Sequence, residues 1–399
     1  MKIFIQLFAA LFIFASCNKT SENQQGQSIQ DKKQASIDSA SAKKQETKSP
    51  PLSNPQFDQL ASLIAGKQDS AYTEIRTSAY WKSFSGGMDS TLKMVNDKRL
   101  TQMRSWAANE YDAKAQKSDT LFYPFSGPDF LNAYTLFPNT KTYFLIALEP
   151  IGLLPEFDPK QPVKTEKFFF NLNLALNDIY KKSYFITKRM NEHLGGAVYG
   201  TLPLMAVFLK QTDHIISDIK TVKLDSTGNL VELPYEELAK SAKRPRGVKI
   251  EFYKKGDKEL RQLYYFSADL GDGALTDKFR FRKFLDKMGR FNAYAKSASY
   301  LMHYEEFTVV RNHVLNKARL LLQDDTGIAL HYVKKEDWNI YLFGTYVPPV
   351  KDFSKYLYQK DLTELYKKDS VNVKELPFEL GYHWGSKKNN LMLFVKKTP

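Results

Sequence analysis

Three polar residues in the segment 119–149 have the types and positions needed for acid–base or binding chemistry. Ser126 and Asp129 follow a short apolar run, and Glu149 follows a second one. If the two runs form parallel strands joined by a short helix, these side chains lie at the carboxyl edge of the sheet. Open α/β sheets bind ligands at that edge. The alternative interpretation is a helix cap at Ser126–Asp129 and a plain strand end at Glu149.

A second pair of carboxylates, Asp324 and Asp325, stands in the sequence QDDTG after a predicted amphipathic helix over 306–323. Two adjacent carboxylates could bind Ca²⁺, or one of them could act as a base. Their spacing lacks the alternating acidic residues of a calcium loop. A helix C-terminal turn closed by Gly327 explains the same residues without a ligand.

The sequence predicts neither a metal site nor a cofactor. Its six histidines form no HExxH pattern and no close pair, and its single cysteine lies near the N-terminus. Closely spaced His and Cys ligands are the usual signature of a zinc site. A GxSxG nucleophile motif is also missing, so no nucleophile–base pair can be named from spacing.

Basic and aromatic residues are interleaved in the window 278–319. Ten basic and three acidic residues there account for half of the chain's net charge of +14. Such a surface can bind anionic lipid head groups or acidic glycans, whereas a helix with a phenylalanine core stripe and a solvated basic face needs no ligand. The candidate basic patch consists of Arg280, Arg282, Lys283, Lys287 and Arg290.

The sequence SGGMDS at 85–90 resembles the phosphate-binding loop of the PP-loop ATP pyrophosphatase family. In that family the glycines let backbone N–H groups approach a pyrophosphate ahead of a helix N-terminus. The residues before it, TSAYWKSF, are not the continuous apolar strand that such a loop follows. A Gly-Gly turn, with Asp89 or Ser90 capping the next helix, is the interpretation that the context favours.

Helical and strand patterns alternate between residues 56 and 399, which predicts an α/β or α+β fold. We expect a twisted mixed sheet with flanking helices and one short βαβ unit at about 119–149. The proline-containing stretch 150–162 is a candidate sub-boundary within this region. An aromatic content of 14% excludes global disorder, and one cysteine cannot build a disulfide framework.

The N-terminal sequence MKIFIQLFAALFIFASCNKT has a lysine, an apolar core over 3–14, two small residues and then Cys17. This order resembles the signal of bacterial lipoproteins. The resemblance implies cleavage after residue 16 and lipidation of the Cys17 thiol, which would anchor the chain to a membrane. An ordinary cleaved signal peptide with an incidental cysteine is the alternative. Stable anchoring needs more than one acyl chain, and the resemblance to bacterial lipoproteins implies that the additional chains are present.

Residues 17–55 have the composition of a disordered tether between that anchor and the folded region 56–399. Positions 18–55 contain no aromatic residue, and Ser, Gln and Lys fill half of them. Such a segment cannot bury enough apolar surface to fold. A flexible chain of this length has a root-mean-square reach of roughly 34 Å, so the folded region would stay near the membrane.

These features lead to three hypotheses for a protein of the bacterial cell envelope, at the periplasmic face or the cell surface. The first is a tethered lipoprotein that binds an anionic lipid or glycan. The second is a hydrolase of an envelope glycan or ester, with Asp129, Glu149, Asp324 or Asp325 as acid and base. The third is a scaffold for other envelope proteins. Nucleic acid is not an expected partner.

Two phrases, YPFSGPDF and LQDDTGI, resemble a group of uncharacterised secreted bacterial proteins. That resemblance implies no activity, so whether the protein is an enzyme stays open at this point.

Overall fold

The computed structural model describes residues 54–397 apart from 112–117, 159, 185–197, 199, 241–245, 350–357, 384 and 386–387. The predicted signal peptide, Cys17 and all but the last two residues of the predicted tether lie outside the described residues. Within them the chain forms a ten-stranded mixed sheet. Its strands are β1 (Thr120–Pro124), β2 (Thr142–Ala147), β3 (His214–Leu224), β4 (Leu230–Leu233), β5 (Arg246–Lys254), β6 (Arg261–Ser267), β7 (Phe291–Ala295), β8 (Ala318–Gln323), β9 (Trp338–Gly344) and β10 (Asn390–Lys396).

Helices flank this sheet, as the alternating pattern predicted. In the described part of the chain they are α1 (Pro55–Ile64), α2 (Thr73–Thr77), α3 (Ala79–Val95), α4 (Thr101–Trp106), α5 (Phe130–Leu136), α6 (Pro162–Lys182), α7 (Leu202–Gln211), α8 (Glu237–Lys240), α9 (Arg280–Lys287), α10 (Thr308–Lys317) and α11 (Lys360–Lys368). Two π-helical segments, Asn96–Leu100 and Ala107–Tyr111, continue α3 and α4. None of the described helices is long and apolar enough to cross a bilayer.

The strands lie in the order β4-β3-β5-β6-β2-β1-β7-β8-β10-β9. The five central strands, β6, β2, β1, β7 and β8, are mutually parallel, whereas the outer strands pair antiparallel. Parallel strands place their carboxyl ends at one edge, so the centre of the sheet has a single edge from which several loops emerge. The predicted mixed α/β fold is therefore confirmed.

The predicted βαβ unit at 119–149 is confirmed in detail. Strands β1 and β2 pair in parallel, with Thr120 opposite Thr142 and Pro124 opposite Ile146. The seven-residue helix α5 connects them. The side chain of Asp129 accepts a hydrogen bond from the backbone N–H of Asn132, so it caps α5 as the sequence suggested.

Apolar layers cover both faces of the sheet. On β1, Leu121 and Tyr123 face the layer formed with α1 and α3 to α7, while Phe122 faces the layer formed with α9, α10 and α11. Successive strand side chains point to opposite faces, so a strand covered on both sides reads as a continuous apolar run. The runs TLFYP and TYFLIA have this character.

The predicted helix over 306–323 is wrong in its second half. Helix α10 ends at Lys317, and residues 318–323 (ARLLLQ) form β8, between β7 and β10. Three consecutive leucines, Leu320 to Leu322, are all buried because both faces of this strand are covered. A short apolar run of this kind fits a helix and a buried strand equally well.

The segment 85–90 is neither a phosphate loop nor a Gly-Gly turn. It lies inside α3, which begins at Ala79 with Ser78 as its cap. Ser85 donates a hydrogen bond to the carbonyl of Gly66 (2.6 Å), and Asp89 pairs with Lys67. The amide groups of a helix interior are committed to the helix, so they cannot cradle a phosphate.

The stretch 150–162 connects elements of one sheet. Strand β2, which precedes it, pairs with β6, which follows it. Backbone hydrogen bonds also join Pro150 and Ile151 to Thr201 and Leu202. The candidate sub-boundary therefore does not divide the sheet.

The position of Gly86 within α3 leads to a stability prediction. A methyl group at position 86 would meet no heavy atom within 4 Å, so Gly86→Ala should raise the free energy of unfolding by about 0.5–1 kcal/mol. The matched control is Gly66→Ala, which should lower it, because Gly66 has φ +72° and its added methyl would lie 3.1 Å from the Cα of Ser85. Urea unfolding measures both. A loss of stability in Gly86→Ala would contradict a helix at this position.

Candidate functional site

A buried ion pair lies at the carboxyl edge of the central strands. Lys296 directly follows β7, and its Nζ is 2.9 Å from Oδ2 of Asp129, the residue that caps α5. The two side chains are 2% and 1% exposed. Tyr123, near the end of β1, donates its hydroxyl proton to the same carboxylate oxygen (3.1 Å). A buried charge needs a partner of opposite sign and further hydrogen bonds, and this carboxylate has both.

Ser183 joins this ion pair to a second group of residues. It ends α6 with φ +66°, and its carbonyl accepts a hydrogen bond from Lys296 Nζ. Its hydroxyl accepts another from the backbone N–H of Gly381 (3.0 Å). Gly381 packs directly on Asp324: a Cβ at position 381 would lie 2.3 Å from Asp324 Oδ2. This close approach requires glycine at that position, and a left-handed backbone with φ +66° favours it.

Asp324 and Asp325 follow β8, so the turn that they begin comes after a strand and not after a helix as predicted. Both side chains are buried. The backbone N–H and the hydroxyl of Thr326 donate to Asp324 Oδ1, and the N–H of Gly327 donates to the carbonyl of Asp324. The predicted role of Gly327 in closing a turn is therefore correct. His383 approaches from the far side, with its Nε2 4.0 Å from Asp325 Oδ2.

Burial makes this carboxylate pair unusually basic. Desolvation, followed by the charge of Asp325, raises the pKa of Asp324 to about 7, against the lowering effect of Thr326 and Lys296. Desolvation raises the pKa of Asp325 to about 6, and the Asn390 side chain opposes that rise. Burial and the neighbouring charge of Asp325 therefore favour the protonated form of Asp324 near neutral pH.

The structure brings Asp129 and Asp324 into one electrostatic group. After burial itself, these two carboxylates raise the pKa values of the buried hydroxyls of Tyr123 and Tyr294. Tyr294 lies on β7 between β1 and β8, and its hydroxyl has no hydrogen-bond partner among the described residues. Carboxylates from two separate predicted regions thus meet at the same edge of the sheet.

Half-buried tyrosines lie where this group approaches the surface. Burial, with Tyr300, Asp324 and Tyr184 adding to it in that order, raises the pKa of Tyr382. The rings of Tyr184 and Tyr382 pack edge to face, with centroids 4.8 Å apart. Tyrosines with one apolar face and one polar end are typical of sites that bind sugars and other polyhydroxylated ligands.

Ser126 and Glu149 also follow β1 and β2 at this edge of the sheet, and both are buried. The Ser126 hydroxyl donates to the carbonyl of Gly127 (2.8 Å) within its own turn. The carbonyl of Glu149 accepts a hydrogen bond from the Tyr265 hydroxyl on β6 (3.0 Å). Of the three residues predicted from the βαβ unit, Asp129 is the one that pairs with Lys296.

Most of the candidate basic patch is used to hold α9 against the turn between β3 and β4. Arg280 donates to the carbonyl of Leu224, and Lys283 donates to that of Ser226. Lys287 bonds Asn229, and Arg282 pairs with Asp286 within the helix. Phe281 and Phe284 form the buried stripe of α9. These contacts fit the alternative interpretation of this window, which was a helix with a phenylalanine stripe in the core and a basic face that needs no ligand. Arg290 follows α9 and is exposed.

Sequence reasoning missed Lys296, Ser183, Gly381 and His383. Lys296 lies inside the basic window, but only its position after a buried strand distinguishes it from its neighbours. Recognising the five-residue run FNAYA as β7 would have placed it at the carboxyl edge. Ser183 and Gly381 are distant in sequence, and their positive φ angles carry no clear sequence signal.

Comparisons of the chain with protein-family models, with curated proteins and with solved structures found no match. The described residues contain no group of three or more His, Cys, Asp or Glu side chains arranged to hold a metal ion.

The buried ion pair predicts strong energetic coupling between Lys296 and Asp129. Lys296→Met and Asp129→Asn should each lower the free energy of unfolding by about 3–5 kcal/mol, because each leaves one buried group without its partner. The double variant should lose clearly less than the sum. The control cycle uses Lys93 and Asp97, whose side chains are 78% and 61% exposed and whose coupling should stay below about 0.5 kcal/mol. Additive losses at Lys296 and Asp129 in urea unfolding would contradict the ion pair.

Proposed function

We propose that this protein is a cell-envelope lipoprotein whose folded region is a carboxylate-based hydrolase, acting on a glycan or an ester. The observation that carries the proposal is the buried pair Asp324 and Asp325 at the carboxyl edge of the parallel strands, beside Asp129 and Lys296. Ligand sites of open α/β sheets lie at this edge. Perturbed carboxyl groups in such a place are typical of catalytic sites.

The pair has the proton-transfer properties that hydrolysis requires. A general acid must hold its proton near the working pH, and burial gives Asp324 that property. Once the pair shares one proton, its other carboxylate can serve as the base or nucleophile. The proton would pass from the pair to the leaving-group oxygen, and water would supply the proton that restores the pair.

The local charge favours a hydrolase over an anion-binding site at this point. Asp129, Asp324 and Asp325 supply three carboxylates here, and the cation nearest to them, Lys296, is already paired with Asp129. An anionic group placed against them would be repelled. The half-buried tyrosines beside Asp324 suit an uncharged sugar ring or ester, so the reacting part of the substrate is neutral.

The proposed location rests on the lipoprotein-type signal and the tether composition. Anchoring at Cys17 would hold the folded region at a root-mean-square distance of roughly 34 Å from the membrane, at the periplasmic face or the cell surface. A hydrolase on such a tether acts on polymers or esters of the envelope itself. Arg280, Lys283 and Lys287 each donate a hydrogen bond to the turn between β3 and β4, so fewer of their N–H groups are free to bind a lipid head group.

Loss of the carboxylate pair should abolish turnover. We expect Asp324→Asn and Asp325→Asn each to lower kcat at least about 100-fold on the best substrate in a panel of nitrophenyl glycosides and nitrophenyl esters. Asp277→Asn is the matched control, because the Asp277 side chain is 93% exposed, and it should keep wild-type activity. The proposal fails if wild type hydrolyses no member of the panel, or if both variants of the pair remain fully active.

Lipidation at Cys17 is tested in cells. The wild-type chain, expressed in bacteria fed an alkyne fatty acid, should carry the label and sediment with membranes. Cys17→Ser should lose the label and leave the membrane fraction, because its oxygen does not replace the lipidated thiol. Ser21→Ala, in the tether, should behave like wild type. A labelled Cys17→Ser chain, or an unlabelled wild type, would contradict the anchor.

A further inference from the structure

The described residues also line a groove of about 1150 Å³ that the proposed mechanism does not use. One wall is the stretch 94–102, from the end of α3 into α4, and the other is the segment 373–379. Tyr180 and Lys181, at the end of α6, contribute to the same groove. Its volume exceeds that of most small-molecule sites and would hold a short oligomer.

Arg99 lines this groove and is only 7% exposed. Its Nη2 donates to the carbonyl of Ile179 (2.8 Å), and its Nε has no hydrogen-bond partner among the described residues. Burial lowers the pKa of Arg99 to about 10, so the guanidinium remains charged at neutral pH. A buried guanidinium with unused donors fits a planar anion, and carboxylates match its fork geometry.

Three acidic residues, Asp97, Glu375 and Glu379, also line the groove, and the charge of Glu379 acts on Arg99. Asp97 pairs with Lys93 (2.7 Å), and Glu379 accepts a hydrogen bond from the backbone N–H of Gly385 (2.7 Å). Glu375 lies on the exposed rim. Within the described part of the chain, no carboxylate lies at ion-pair distance from Arg99.

The basic side chains of the groove offset the negative charge of its rim. Lys374 is occupied by both carboxylate oxygens of Glu110 (2.7 Å each). Lys98 and Lys181 form no ion pair with a described residue and remain available. Lys98 and Lys181 are exposed, so they add positive charge at the rim of the groove, and Arg99 adds positive charge at a buried position.

Arg99 also connects the groove to the proposed catalytic group. Its charge interacts with Asp129 and with the hydroxyl of Tyr294, which lie beside Asp324. The backbone N–H of Ser183 donates to the same Ile179 carbonyl as Arg99 (3.1 Å), so Arg99 lies next to the residue that connects Lys296 with Gly381.

We propose that Arg99 binds a carboxylate group of the substrate in this groove, so that the substrate of the proposed hydrolase is an acidic glycan. This inference rests on the proposed function for the identity of the reaction, but the carboxylate site itself can be tested without turnover.

Binding is measured by calorimetry on the full chain purified in detergent, carrying Asp324→Asn to prevent hydrolysis. The probes are oligogalacturonates and the same oligosaccharides with their carboxyl groups reduced to alcohols. We expect the acidic form to bind at least about 10-fold more tightly. Equal affinity of the two forms, including no binding of either, would overturn the proposal. This comparison changes only the ligand, so it does not depend on a variant that folds.

The protein-side test replaces Arg99. Arg99→Gln should abolish the preference for the acidic form, and Arg99→Lys, which keeps the charge and a donor for the Ile179 carbonyl, should retain part of it. Lys374→Met, on the same rim, is the control and should keep the preference. If Arg99 only caps α6, Arg99→Gln will lower the melting temperature and leave the preference intact in the folded fraction, which would overturn the proposal.

The outcomes separate this inference from the proposed function. Acidic-form binding that depends on Arg99 in a protein without hydrolytic activity would support the carboxylate site and contradict the hydrolase. Hydrolysis of a neutral glycan at the same rate by wild type and Arg99→Gln would support the hydrolase and contradict the carboxylate site. Inorganic phosphate at millimolar concentration is added as a competitor. If phosphate displaces the acidic oligosaccharide and binds more tightly than it does, the assignment of the site to a carboxylate is overturned.

Discussion

The ion pair between Lys296 and Asp129 is the constraint on which the carboxyl edge of the sheet depends. Neither charge can be left alone in so dry a place, because an unpaired buried charge costs several kcal/mol. Lys296 therefore fixes the end of β7 against the start of α5, and the same ammonium group fixes the end of α6 through the Ser183 carbonyl. One side chain thus determines how three elements meet.

The second carboxylate pair depends on that arrangement. Ser183 holds Gly381 in place, and Gly381 closes over Asp324 so tightly that no side chain would fit there. This close packing contributes to the burial of Asp324, and burial raises the pKa of its carboxyl group to about 7. Lys296 limits the effect, because its charge lowers the pKa of Asp324. A structural ion pair and a proton-holding pair are therefore parts of one network.

Local signals in the sequence predicted the fold better than they predicted the site. The βαβ unit was predictable because two continuous apolar runs enclose a turn with a capping aspartate, and the antiparallel ribbon β5–β6 because a Lys-Gly-Asp turn separates two strand patterns. Strand β8 was not predictable from the sequence, because the run ARLLLQ fits a helix as well as a buried strand.

Asp129, Asp324 and Asp325 were identified as candidates from their residue type and their local position in the sequence. Their meeting was not predictable, because it depends on the order of β1, β7 and β8 in the sheet. Lys296 looked like one basic residue among ten in its window. The distinction between it and an exposed lysine is burial at a strand end, which is a property of the fold and not of local sequence.

The most direct test is the titration of the aspartate carboxyl groups by ¹³C NMR, with Asp324→Asn and Asp325→Asn used to assign the signals. The signal of the Asp324 carboxyl is the one that disappears in Asp324→Asn. If burial at this edge favours its protonated form, this signal titrates near pH 7, well above the ordinary aspartate value of about 4. Titration of both carboxyls at or below about pH 4 would mean that the pair is solvated and ionised, and would contradict the site as described.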